Sequence, residues 1–153
     1  MIDELRELYQ EVILDHGKHP RNFRRPEDAN HQAKGNNPLC GDQLTVFLRV
    51  DDAGIIRDVA FQGRGCAIST ASASLMTEVL RGKTEAEAHR LFTAFRHAMV
   101  DGEMPAVDGL EDEAERLGVL AGVRQYPVRV KCATLAWHTM EAALADQEKA
   151  TTE

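Results

Sequence analysis

An α+β domain, with helices packed against a small antiparallel sheet, is the fold class the sequence predicts. Residues 44–50 and 55–61 alternate apolar and polar side chains, the period-2 patterning of strands with one buried face. Later stretches instead repeat their apolar residues every three or four positions, as helices do. Strands grouped early and helices grouped late favour segregated layers over a regular β–α alternation.

Leu5, Leu8, Tyr9, Val12 and Ile13 form one stripe, so the spacing predicts a helix over 3–16 with Gly17 as its stop. From His19 to Cys40 periodicity vanishes. Pro20, Pro26 and Pro38, with Asn22, Asn30, Asn36 and Asn37, mark a long irregular connection that delivers Cys40. Asp51–Gly54 then supplies the turn between the two strands, which should form an antiparallel hairpin running into Gly63-Arg64-Gly65-Cys66.

Ser69 suits the N-cap of a helix reaching about Arg81, and Gly82 its stop. Thr84 and Glu87 have capping-box spacing ahead of the stripe Ala88, Leu91, Phe92, Phe95 and Met99, which ends near Gly102. Residues 103–109 read as a loop and 111–122 as one or two short helices. Pro127 fits a first helical turn, and Ala133, Ala136, Trp137, Met140 and Leu144 mark a last helix beginning close to Cys132. Residues 1–148 are expected to form a single domain and 149–153 to fray.

Composition narrows the function classes. Hydrophobic residues make up 43% of the 153 and charged residues 28%, which is ordinary for a globular chain. A net charge of -7 opposes attraction to nucleic acid or anionic lipid, so neither is an expected partner. No stretch approaches a membrane span, and the N-terminus lacks a basic, then apolar, leader pattern. Three widely spaced cysteines do not read as a secreted disulfide framework, and a reducing cytoplasm is the expected setting.

Taken singly, Cys40, Cys66 and Cys132 are each bland, because free cysteine behaves as a small buried hydrophobe. Their contexts are not. Cys40 lies in P-L-C-G-D, Cys66 follows G-R-G at a strand end, and Cys132 follows Lys131 near a helix start. Helix N-termini and neighbouring backbone N–H groups favour the thiolate that binds metal or attacks as a nucleophile. Asp42, two residues after Cys40, reads either as a turn residue or as a fourth ligand. Three thiolates and a carboxylate suit tetrahedral zinc or cluster iron better than magnesium or calcium. The cations nearest in sequence are Arg64, Arg129 and Lys131.

Other patterns carry less. G-R-G-C-A-I at 63–68 begins like a dinucleotide fingerprint, but Ile68 occupies the third glycine position. His16, His19, His31, His89, His97 and His138 lack metalloprotease spacing and read as packing or surface residues. The run Glu111, Asp112, Glu113 and Glu115 reads as a solvated helix face.

Read together, N-N-P-L-C-G-D at 36–42, F-Q-G-R-G-C-A-I-S-T-A-S at 61–72 and Y-P-V-R-V-K-C-A-T-L-A-W at 126–137 resemble the IscU/NifU iron–sulfur assembly family. The likeness extends from the first helix, with H-P-R-N at 19–22, to the last. It implies the IscU-like α+β domain, with Cys40, Asp42, Cys66 and Cys132 as metal-site residues. Two departures point to the SufU branch. Lys131 stands where IscU-type scaffolds have histidine, and their chaperone-binding L-P-P-V-K is reduced to Y-P-V-R at 126–129. The 65 residues between Cys66 and Cys132 also resemble that branch, whose insertion would include the helix of 84–100.

The resemblance implies a zinc-dependent carrier that accepts persulfide sulfur on Cys40 from a SufS-type cysteine desulfurase and hands it to downstream iron–sulfur assembly components. The PLP belongs to the desulfurase, one of whose histidines takes the place of Cys40 on zinc. Two other readings of the same four residues stand beside it: a scaffold for a transient [2Fe–2S] cluster, and a purely structural zinc site.

Overall fold

The computed structural model describes residues 2–151, with side chains of the first helix given from Tyr9 onward. Helix α1 spans Ile2–Lys18. Three strands follow, β1 (His31–Asn37), β2 (Asp42–Val50) and β3 (Ile56–Arg64), and then α2 (Ala67–Leu80) and α3 (Glu85–Asp101). The chain continues through α4 (Glu111–Leu117), a 3₁₀ segment (Gly118–Gln125), α5 (Pro127–Leu144) and β4 (Lys149–Thr151). The fold is α+β, as the patterning predicts. The sheet order is β3-β2-β1-β4, antiparallel except that β4 runs parallel to β1.

The predicted hairpin is β2–β3, with Val46 opposite Phe61 and Leu48 opposite Val59. Two strands lay hidden in segments read as loop and tail. In β1 the inward positions are Ala33, Gly35 and Asn37, so the burial alternates while the hydropathy does not. The reason is space. A Cβ at Gly35 would collide with Thr139 Oγ1 and come within 3.2 Å of Leu135 Cδ1, both on α5. Only small residues let the helix lie this close.

Within the segment 149–153 expected to fray, Lys149, Ala150 and Thr151 pair with Lys34, Gly35 and Asn36. The Lys34 N–H donates to the Glu148 carbonyl at 2.8 Å, which extends the ladder. Thr152 and Glu153 lie outside the described residues.

Helix α5 packs on β1 and β2, α2 on β3 and α5, and α1 on α2. Trp137 is fully buried against the rings of Phe92 and Phe95, with centroids 5.9 and 5.3 Å away, which ties α3 to α5. Thr84 and Glu87 form the predicted capping box, and Gly102, at φ 82°, ends α3. In contrast, Cys66 rather than Ser69 caps α2. Gly17 does not stop α1; it lets that helix approach Ala67, whose Cβ would lie 3.2 Å from an added one. Leu5 and Leu8 of the predicted stripe lie outside the described side chains. Among the described residues, no helix is long and apolar enough to cross a membrane.

His16 is the buried anchor of α1. Its Nδ1 lies 2.7 Å from Ser74 Oγ, which also accepts the Arg21 N–H at 2.8 Å, and Asn22 Nδ2 donates to Thr77 Oγ1 at 2.9 Å. The H-P-R-N segment thus fastens onto α2. Burial, then the Arg21 charge, pushes the His16 imidazole below its ordinary range, against the opposing pull of Glu78 and Asp15. The folded chain therefore binds a proton at His16 less readily than the unfolded chain, and stability must fall as pH drops below about 6.5. Urea unfolding at pH 7 and pH 5 is expected to show this loss, with a smaller loss in His16→Gln. An identical loss in both proteins would remove His16 as a source.

Candidate metal centre

The four residues singled out by the sequence meet at one end of the sheet. Strand β1 ends at Asn37 and β2 begins at Asp42, so Cys40 sits in the tight turn 38–41 and not at the close of a long irregular loop. The Asn37 carbonyl accepts N–H groups from Cys40 at 3.2 Å and Gly41 at 2.9 Å. Gly41 completes the turn at φ 73°, a left-handed conformation that costs glycine least.

Antiparallel pairing of Gln43 with Arg64 sets the end of β3 beside the start of β2. Gly65 and Cys66 follow immediately. The Cys66 N–H donates to Asp42 Oδ1 at 3.0 Å, and its Sγ accepts the Ser69 N–H at 3.4 Å as the cap of α2. A Cβ at Gly65 would press to 2.9 Å from Asp42 Oδ1 and 3.0 Å from Ser69 Oγ, so glycine is what admits the carboxylate.

Cys132 lies in the second turn of α5, later in that helix than expected. Close packing of α5 on β1 brings its sulfur 3.4 Å from that of Cys40. Ligand atoms of Cys40, Asp42 and Cys132 all fall within 4.8 Å of one another. Cys66 stands beside this trio but outside that limit, linked to it through Asp42. Burial grades the thiols: Cys132 is buried, whereas Cys40 and Cys66 are partly exposed.

Asp42 is 1% exposed, and its Oδ2 has no hydrogen-bond partner among the described residues. A buried, unpaired carboxylate oxygen is costly. A cation accepting both sulfur and oxygen donors satisfies it together with the adjacent thiols, so the residues present fit a zinc or iron centre. Without a metal, burial pushes the Cys132 thiol far up, reinforced by Asp42, Cys40 and the charge of Cys66.

The Cys66 charge first, then the Cys132 sulfur, raises the Arg129 guanidinium above the ordinary range. Leu39, Tyr126 and Val128, 60–69% exposed, add apolar surface close in sequence to Cys40 and Cys132. Sequence reasoning gave no role to Asn37, whose signal was a polar residue at an inward strand position, visible only once β1 is known.

The NifU-like N-terminal domain family matches residues 8–153. An iron–sulfur cluster assembly scaffold protein IscU of Streptococcus pyogenes serotype M1 is 40% identical over 94% of this chain and 86% of that protein. The zinc-dependent sulfurtransferase SufU of Bacillus subtilis strain 168 is 38% identical over 92% of each. A solved structure named as a SUF-system iron–sulfur scaffold of Fervidobacterium islandicum AW-1 is 36% identical. It superposes with a TM-score of 0.80 over 90% of this chain and 97% of that one.

Three thiolates and a carboxylate outweigh the charge of a divalent ion, so a neighbouring cation favours the loaded state. Arg129→Glu is expected to weaken zinc binding several-fold more than Lys131→Glu in a competitive chelator titration at neutral pH. Equal losses would remove Arg129 from this role.

Proposed function

We propose that this chain, which belongs to the NifU-like N-terminal domain family of iron–sulfur assembly proteins, takes persulfide sulfur from a cysteine desulfurase and passes it on through Cys40. The observation that carries this reading is the graded burial of two adjacent sulfurs. Cys40 is partly exposed in a surface turn, and the Cys132 sulfur, 3.4 Å away, is buried behind it. An incoming persulfide can reach the first and not the second.

Zinc would be held by Cys40, Asp42, Cys66 and Cys132, and it supplies the positive charge that keeps thiols deprotonated at neutral pH. The Cys40 thiolate attacks the terminal sulfur of the desulfurase persulfide. A bond forms between Cys40 and that sulfur as the enzyme's S–S bond breaks, and the electron pair leaves with the desulfurase cysteine as its thiolate. A later acceptor thiolate takes the sulfur from Cys40 by the same substitution. Meanwhile Asp42, fixed by the Cys66 N–H, and Cys132, fixed in α5, hold their places while Cys40 turns outward. Leu39 on the Cys40 turn offers the partner an apolar contact.

The runner-up is a scaffold on which a transient [2Fe–2S] cluster is assembled from the same residues, supported by the likeness to proteins named IscU. An ultraviolet–visible spectrum with metal analysis of anaerobically purified protein separates a coloured cluster from colourless zinc. A purely structural zinc differs from both in leaving a cognate desulfurase unstimulated.

After a single turnover with desulfurase and cysteine, intact-mass and peptide mapping are expected to find the extra sulfur first on Cys40. Cys40→Ser should retain some zinc and accept none. Persulfide appearing first on Cys66 or Cys132, or undiminished transfer by Cys40→Ser, would defeat the reading. Chelation is expected to lower Tm while leaving far-ultraviolet circular dichroism largely intact, because the aliphatic and aromatic core is built without the site. Loss of the helical signal at room temperature would show instead that the metal holds the fold.

A further inference from the structure

Asn37 is fully buried at the last inward position of β1, and nothing in the sulfur-transfer reading uses it. An apolar side chain there would incur no hydrogen-bonding debt, whereas asparagine brings two donors and an acceptor out of water. Its Nδ2 faces Cys132 Sγ at 3.8 Å, within reach of a hydrogen bond to sulfur. Its Oδ1 has no partner among the described residues. The residue therefore tolerates an unmet acceptor, a real cost, in an arrangement that keeps a donor on sulfur. Its backbone carbonyl meanwhile accepts the N–H groups of both Cys40 and Gly41. One residue thus touches the two elements whose sulfurs lie 3.4 Å apart.

We propose that Asn37 is a positioning residue for the metal centre: its backbone carbonyl holds the Cys40 turn while its side-chain amide donates to the Cys132 sulfur. This rests on the metal-binding reading above. The amide donor has little to gain from a neutral thiol and much more from sulfur that carries negative charge, since charge-assisted hydrogen bonds are about twice as strong. It thereby favours the metal-binding form of Cys132 and fixes its direction, as groups behind the direct ligands do in metal sites generally. Proline at 38 and glycine at 41 shape the turn, but neither offers a side-chain donor to α5. Asn37 thus links turn and helix beside the direct contact of the two sulfurs.

The test is an anaerobic titration with Co²⁺ of the wild type, Asn37→Ala and Asn37→Asp, with circular dichroism to establish folding. Removing an N–H donor from a coordinated sulfur raises the energy of its lone pair, so the sulfur-to-cobalt charge-transfer band should move to lower energy in both variants. Affinity should fall about 10- to 100-fold, as it does when partners behind the direct ligands are lost. A residue that only fills space would lower occupancy without moving the band. As a second measurement that needs no variant, the wild type loaded with ¹¹³Cd²⁺ should show scalar coupling from an Asn37 side-chain N–H proton to cadmium across the sulfur.

An unmoved band in folded variants would overturn the proposal. If the variants do not fold, absence of that coupling in the wild type would overturn it. A wild-type chain that gives no thiolate–cobalt band would overturn the metal reading, and this proposal with it.

Discussion

The distance between α5 and β1 is the constraint on which the site depends. Thr139 and Leu135 occupy the space where a side chain at Gly35 would stand, so the side chains of the helix pack directly on the strand backbone. Rigid elements transmit that approach along their length. On α5, Trp137 stacks on Phe92 and Phe95 of α3, and the helix's N-terminal half carries Cys132 to the turn that holds Cys40. Widening the contact by one methyl would separate sulfurs that sit more than 90 residues apart in sequence, because a close-packed interior passes strain on instead of absorbing it.

On this frame the polar groups are placed at a cost. Asp42 Oδ2, Asn37 Oδ1 and Ser69 Oγ are buried without hydrogen-bond partners among the described residues, and two of these residues, Asp42 and Asn37, come from the ends of the strands that flank the Cys40 turn. Such a concentration of unmet polarity marks a place shaped for something other than the stability of the bare chain. Burial also pushes the Cys132 thiol up, while Arg129 lends positive charge from the exposed side. A cation bound there would meet donors that are already gathered and would relieve their desolvation.

The graded exposure of the thiols gives the site a direction. Cys132 lies buried inside α5, while Cys66, which caps α2 with its backbone tied to Asp42, and Cys40, in a turn between two strands, are partly exposed. The anchoring differs in kind as well as in depth: a helix interior and a helix cap resist displacement, whereas a glycine-containing turn can rotate a side chain at small cost. The partly exposed Cys40 sulfur on a turn, with the buried Cys132 sulfur behind it, is the arrangement on which the proposed sulfur transfer rests.

Much of this was legible in the order of residues alone. The β2–β3 hairpin and the capped helix of Thr84 to Gly102 follow from local rules, alternation and capping chemistry, that operate within a few residues. The motifs around Cys40, Cys66 and Cys132 carried the family resemblance for the same reason. Strand β1 was not legible, because its inward residues are Ala33, Gly35 and Asn37; their choice answers to a helix a hundred residues away. Strand β4 was hidden too, since Lys149–Thr151 gain order from the edge of β1 and not from their own pattern. The sequence by itself determined which side chains could bind a metal. Only the tertiary structure decided that Cys40, Asp42 and Cys132 stand together with Cys66 just outside, that the Arg129 guanidinium feels the thiols, and that Asn37 faces the sulfur. Ligand identity is a property of single residues, whereas distance, burial and the choice of counter-charge arise from the packing of α5 on the sheet.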